Sequence, residues 1–246
     1  MAEPRIRRQR RNVPVAFDVA GSVVVFDLDD TLYLERDFAL SGFAALDPIV
    51  ETRYRVKGFG AACKKQFKAG VRGTVFNEAI KALGAQDRRI DILELVEAYR
   101  MHKPEISLAP DAARLLTRLR NEPTALITDG PAGMQRNKIE ALGLKTRIGE
   151  IVVTDELPTG HGKPHQKAFE MVEQWSGRPP REHLYIADNG AKDFLAPRKR
   201  GWMTIQILRE GRIHTGIAPD ADHAAVLVIR SLDEIALGAW SGDPDV

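Results

Sequence analysis

Residues 23–33 read VVVFDLDDTLY. Three valines and a phenylalanine in succession predict a strand buried on both faces, the pattern of a parallel sheet. The run then breaks into three carboxylates, Asp27, Asp29 and Asp30. Acids at the end of an apolar strand are costly unless a cation or a reaction compensates them. Asp27 and Asp29 are separated by one residue, so the loop leaving the strand can aim both at one point. In open α/β sheets, ligands bind beyond the carboxyl ends of the strands.

Four more short apolar runs lie downstream: Thr124–Ile127, Glu150–Val153, His183–Ala187 and Met203–Leu208. Each is bounded by Gly, Asp or Pro, and each reads as a buried strand. Amphipathic stretches alternate with them at Asp111–Asn121, Gly133–Leu142, Lys167–Trp175 and Lys192–Arg200. That alternation predicts βαβ units, hence an α/β fold with a Rossmann-like, three-layer parallel sheet core. About a hundred residues separate the first two strands, far too many for one crossover. Residues 36–106 read as helices over Ala44–Tyr54, Phe59–Ala69, Val75–Leu83 and Ile90–Met101, punctuated by Gly58, Gly70, Gly73 and Gly84. We therefore expect a core of residues 17–35 and 107–246 with a four-helix domain inserted at 36–106. Residues 1–16 read as a disordered basic tail, Ile229–Leu237 as a closing helix and Gly238–Val246 as a frayed end.

The fourth strand repeats the pattern of the first. Residues 183–194, HLYIADNGAKDF, end a strand in Asp188 and place Asp193 five residues on. Two strand ends bearing carboxylates predict a hard-cation site, and all-oxygen ligation suits Mg2+. The second strand ends in Thr128, Asp129 and Gly130 just before a helix. A hydroxyl with backbone N–H groups ahead of a helix N-terminus makes a cradle for an anion. Lys163, fixed beside Pro164, can balance the charge of that anion among the carboxylates.

Taken together, Asp27-x-Asp29-x-Thr31, Thr128, Lys163 and Asp188-x4-Asp193 resemble the four motifs of the haloacid dehalogenase-like (HAD) hydrolase superfamily, in the family's order. The insert resembles the helical cap of its phosphatase-type members. The resemblance implies a phosphatase acting on a small phosphorylated metabolite. Asp27 would be the nucleophile and would form an aspartyl-phosphate, and Asp29 the general acid and base. Thr128, Asp129 and Gly130 would hold the phosphoryl group together with Lys163. Asp27, the backbone carbonyl of Asp29, and Asp188 would hold Mg2+, with Asp193 as a further ligand or behind the metal, where it could orient Lys163. Two positions depart from the family's usual pattern: Asp129 stands where relatives often carry Asn, and Ala187 where many have Gly. Other readings stay open at this point: a 2-haloacid dehalogenase, a phosphotransferase or mutase, and an idle binding module. The presence of Asp29 favours phosphatase over dehalogenase, since dehalogenases resemble a pattern in which that acid is replaced.

Composition bounds the alternatives. The 246 residues are 43% hydrophobic and 28% charged, which excludes a chain disordered over most of its length. One cysteine, Cys63, permits no internal disulfide and no thiolate zinc site, and fits a cytoplasmic protein. Residues 1–12 hold five arginines and one acid, and the rest carries 31 basic and 33 acidic residues. The arginines of residues 5–11 are thus the only hint of nucleic-acid binding. No apolar run is long enough to cross a membrane, and a monomer or homodimer is expected. Within the insert, residues 53–72 carry Arg53, Arg55, Lys57, Lys64, Lys65, Lys68 and Arg72 and no acid. That run is either a solvated basic face or an attractor for a phosphorylated substrate with a second negative group. Tyr33, Phe43 and the Ser41–Gly42 turn fall near the expected hinge, in reach of a leaving group.

Overall fold

The computed structural model describes residues 15–17 and 21–237. In chain order the elements are β1 (Val15–Phe17), β2 (Val23–Phe26), α1 (Glu35–Tyr54), α2 (Phe59–Lys68), α3 (Val75–Ala82), α4 (Ile92–Met101) and α5 (Pro110–Arg118). They continue as β3 (Thr124–Thr128), α6 (Ala132–Ala141), β4 (Glu150–Val153), α7 (Lys167–Ser176), β5 (His183–Ala187), α8 (Leu195–Lys199), β6 (Met203–Ile207), β7 (Leu227–Ile229) and β8 (Ile235–Leu237).

Six strands form one sheet in the order β4-β3-β2-β5-β6-β7, every pair parallel. The central strand β2 is flanked by β3 and β5, so all three carboxyl ends open on the same edge. The chain moves from β2 outward to β4 and then returns to the other side of β2, which makes this edge the topological switch point where open α/β sheets bind ligands.

The valine run is buried on both faces because alternate side chains enter different cores. Val24 and Phe26 pack with Leu126, Leu184 and Ile186 under α5 and α6, where Leu115, Leu116 and Ile139 complete the layer. Val23 and Val25 pack with Ile127 and Tyr185 under α7 and α8, beside Phe169 and Trp202. This is the three-layer arrangement the strand pattern predicts.

Helices α1 to α4 lie between β2 and α5 and have a core of their own, built from Phe43, Leu46, Val50, Phe59, Phe76 and Leu95. Close approach of its helices depends on glycine. A Cβ at Gly42 of α1 would lie 2.4 Å from the Tyr99 ring of α4, and one at Gly60 of α2 would lie 2.5 Å from the Phe43 carbonyl. Cys63 is buried here as a free thiol. Among the described residues, no helix is long and apolar enough to cross a membrane.

Three expectations need correction. Ile229–Leu237 is not a helix: it is the end of β7, a single 3-10 turn at Leu232–Glu234, and β8. Ser231 and Glu234 do form a capping box there, but Ile229, Leu232 and Ile235 are buried at a spacing of three, the 3-10 period. The sheet has a sixth strand, β7, missed because it is only three residues long and Val228 is exposed at the edge. Val15–Phe17 pairs with Ile235–Leu237, so residues 15 and 16, assigned to the basic tail, are in a strand. The arginines of residues 5–11 and the frayed end assigned to Gly238–Val246 lie outside the described residues.

Candidate active site

The ladder carries Asp27 to the sheet edge. Its N–H donates to the Ile186 carbonyl at 2.9 Å, so the backbone stays in register one residue past β2. The carboxylate there meets Lys163, whose Nζ lies 2.6 Å from Asp27 Oδ1 and 2.9 Å from Asp193 Oδ1 and donates to Tyr185 Oη at 3.1 Å. Asp193 Oδ2 accepts from the Asn189 N–H at 2.9 Å, which folds the loop after β5 back on itself. Gln206 of β6 fixes the same loop by donating to the Asp188 carbonyl at 2.8 Å. Thus Asp27, Asp188, Asp193 and Lys163, spread over the sequence, converge in one buried cluster.

Ligand oxygens of Asp27, Asp188 and Asp193 all lie within 4.8 Å of one another. Burial, then Asp27 and Asp193 beside it, pushes the Asp188 carboxyl up to about 9. Burial also pushes Asp27 up, to about 7, against the pull of Lys163. Burial disfavours the Lys163 ammonium, but Asp193 and Asp27 outweigh it and hold the group well above the usual lysine range. Asp188 Oδ2 is buried with no hydrogen-bond partner. Three buried carboxylates within reach of one another, one of them with an orphaned oxygen, are the donor set of a hard divalent cation, so these residues fit Mg2+.

Asp29 faces a different set of donors. Its Oδ1 accepts from Tyr33 Oη and from Lys138 Nζ at 2.8 Å. Its Oδ2 accepts from Lys138 Nζ at 2.9 Å and from Gln135 Nε2 at 3.0 Å. Burial opposes the charge, but Lys138 and these hydrogen bonds hold the carboxyl below its usual range. Lys138 and Gln135 escape the sequence reading because helix Gly133–Leu142 reads as amphipathic through Ile139, Leu142 and Leu144 alone. The available signal is their own i, i+3 spacing, which puts both on one face. Tyr185, which meets Lys163 from the middle of β5, likewise reads only as strand.

Thr128 ends β3 with its Oγ1 2.6 Å from Gln135 Nε2. The Asp129 carboxylate is occupied by protein donors. Its Oδ1 accepts from Thr154 Oγ1 at 2.7 Å and from the Lys163 N–H at 3.1 Å, and its Oδ2 from Lys192 Nζ at 2.8 Å. It therefore ties the strand end to the Lys163 loop and to the loop after β5. Gly130 follows at φ +124°, a backbone conformation that favours glycine, and turns the chain into α6.

Asp30, the third acid of the first motif, is a structural group. It sits at φ +52° and accepts from the Glu35 N–H that opens α1 and from the Ile213 and His214 N–H groups. Burial pushes its carboxyl up. Ser41 Oγ accepts from the Glu105 N–H at 2.8 Å and so staples α1 to the returning chain. Between α1 to α4 and the His214 loop lies a cavity of about 410 Å³, walled by Phe43, Phe67, Phe76 and Tyr99. Of the basic run at 53–72, Arg72 alone lines it, stacked 4.0 Å over Phe67. Arg53, Arg55, Lys57, Lys64, Lys65 and Lys68 are exposed. At the cavity's core side His214 Nε2 lies 2.8 Å from Glu35 Oε2, and that hydrogen bond pushes the imidazole up to about 9.

The model of haloacid dehalogenase-like hydrolases matches residues 22–201, from the start of β2 through the loop bearing Asp193 and on to Gly201. The chain belongs to the haloacid dehalogenase-like hydrolase family. It is 28% identical over 186 residues to the phosphoserine phosphatase of Thermus thermophilus, covering 75% of this chain and 70% of that protein. It is 26% identical over 195 residues to the glyceraldehyde 3-phosphate phosphatase of Methanocaldococcus jannaschii, covering 76% and 84%. Among solved structures, the HAD hydrolase YfnB of Bacillus subtilis, bound to magnesium, overlays with a TM-score of 0.58 at 20% identity, over 87% of this chain and 96% of that one. That likeness shows the HAD fold. The chain is thus an enzyme of a hydrolase family with phosphatases among its relatives.

Proposed function

We propose that the chain is a Mg2+-dependent phosphomonoester hydrolase working through an aspartyl-phosphate on Asp27. The observation that carries this reading is the convergence on one sheet edge of Asp27, Lys163 and the Asp27, Asp188, Asp193 cluster, with Asp29 beyond it in its own cage. Asp27, Asp188 and Asp193 would hold the cation, together with the Asp29 carbonyl that the family pattern supplies. When bound, Mg2+ neutralises charge on the phosphoryl oxygens and on the attacking carboxylate.

The residues of the chain do the rest. Lys163 screens the repulsion between the Asp27 carboxylate and a phosphate dianion, since two anions do not approach in a dry site unaided. An Asp27 oxygen attacks phosphorus, and the ester oxygen departs with its bond pair and takes a proton that Asp29, ionised in the resting site, has accepted from the phosphate monoanion as it binds. The Asp29 carboxylate then takes a proton from water, whose oxygen attacks the aspartyl-phosphate and frees inorganic phosphate and Asp27. Thr128 and the amides at Asp129–Gly130 hold phosphoryl oxygens.

We assign helices α1 to α4 as a cap over this edge, with the leaving group in the 410 Å³ cavity. Its aromatic walls suit a leaving group with an apolar or flat body, and Arg72 suits a second negative group at its rim. Closure would exclude bulk water while phosphorus is attacked. The test is release of p-nitrophenol from p-nitrophenyl phosphate. Release with Mg2+, lost on addition of EDTA, is the expected result. Release that persists in excess EDTA contradicts the role of the carboxylate cluster.

A further inference from the structure

Lys138 is a fully buried lysine that the reaction as derived above does not use; its side chain is 0% exposed. Lysine is almost never buried without a partner, because taking an ammonium out of water is costly. Its only anionic partner among the described residues is Asp29, both of whose oxygens it meets, at 2.8 and 2.9 Å. Its other face lies 4.4 Å from the ring centroid of Phe38 in α1. A buried ion pair of this kind is weak support for a fold, since apolar replacements of similar volume are often as stable. The pair therefore calls for another reason, and its location supplies one.

We propose that Lys138 is a positioning residue for Asp29, acting with Gln135 one helical turn earlier; the role rests on the hydrolase reading above. Two atoms of α6, Lys138 Nζ and Gln135 Nε2, bond the same carboxylate, and Tyr33 Oη bonds it from the far side of the motif loop. Three residues from two parts of the chain thus fix the plane of the Asp29 carboxylate, not only its distance from Asp27. Gln135 Nε2 also reaches Thr128 Oγ1 at 2.6 Å and the Asp129 carbonyl at 2.7 Å. The cage therefore sets Asp29 in a fixed relation to the proposed phosphoryl cradle. Proton transfer to a leaving oxygen needs the donor within hydrogen-bond reach of that oxygen, and a tethered carboxylate meets the requirement without ordering a free side chain during the reaction.

A positioning role predicts dependence on the leaving group. Phenyl phosphate and p-nitrophenyl phosphate are close in shape, but nitrophenolate departs with little need of a proton and phenolate does not. In Lys138→Met, turnover of phenyl phosphate is expected to fall at least about tenfold further than that of p-nitrophenyl phosphate. Lys138→Arg should restore the ratio in part, and the Mg2+ concentration for half-maximal rate should not move. If Lys138→Met does not fold, Gln135→Leu in the same pair of assays decides, with a shift in the same direction expected. Equal proportional loss on both substrates overturns the proposal and leaves Lys138 a structural residue. No phosphate release from either substrate by the wild-type chain with Mg2+ overturns the hydrolase reading instead, and the positioning role with it.

Discussion

Replacing Asp188 with asparagine separates cation binding from folding. In the metal-free protein the Asp188 carboxyl is pushed up to about 9, against 3.8 for an exposed aspartate, by burial and by Asp27 and Asp193. At pH 7 the folded chain therefore holds this group protonated, while the unfolded chain has it ionised. The folded state binds the extra proton, so metal-free stability is greatest below the unfolded pKa and is lost as pH rises through the folded one. An asparagine amide in its place mimics the protonated acid and has no such dependence. Metal-free Asp188→Asn should match wild type only near pH 4, exceed it slightly at pH 5 and exceed it increasingly toward pH 9. Mg2+ reverses the order. At a hundred times its dissociation constant, a ligand specific for the folded state stabilises by about 2.7 kcal/mol. For a chain of this size that raises the melting temperature by roughly 5–10 °C. Asp188→Asn removes one of the three carboxylates of the cluster and should lose most of that rise. The assay is thermal unfolding by circular dichroism at pH 5, 7 and 9, with EDTA or Mg2+. An undiminished Mg2+ shift in the variant, or a metal-free variant less stable than wild type at pH 9, would refute the reasoning.

Two further outcomes follow from the same geometry. Protons and a cation compete for Asp27 and Asp188, held up at about 7 and about 9, so apparent Mg2+ affinity should rise with pH between 6 and 9 and binding should release protons. Calorimetric titration in buffers of different ionisation enthalpy counts them, and a pH-independent affinity contradicts the cluster as the site. Arg209, buried after β6, donates to both Asp111 oxygens at 2.9 Å and to the Thr31 carbonyl at 2.8 Å, joining the motif loop to α5. Arg209→Met should cost about 3–5 kcal/mol in urea unfolding, because it leaves a buried carboxylate without its cation; a loss near zero contradicts that role.

The fold is legible where burial leaves a plain trace. β2, β3 and β5 are buried along their whole lengths, so their sequences are largely apolar runs, and Asp27, Thr128 and Asp188 stand at their ends. Two short edge features are not. β7 is three residues long, and the 3-10 turn after it imitates the spacing of a longer helix. The chemistry divides in the same way. Acids that interrupt an apolar strand advertise themselves, but Lys138 is buried only by tertiary contacts with Asp29 and Phe38, residues far from it in sequence. Asp129 shows the converse. Its charge looks unfavourable beside a phosphate, and the structure resolves this by turning its carboxylate to Thr154, the Lys163 amide and Lys192. Asp30, next to Asp29 and three residues after Asp27, sits at a left-handed φ and serves backbone N–H groups instead.

The claim on which the rest depends is that Asp27 attacks phosphorus. Its most direct test is phosphate release by Asp27→Asn beside wild type, both folded by circular dichroism and both saturated with Mg2+. The account predicts a folded variant with no measurable turnover of p-nitrophenyl phosphate, while wild type releases phosphate. Wild-type-like turnover in the variant contradicts it.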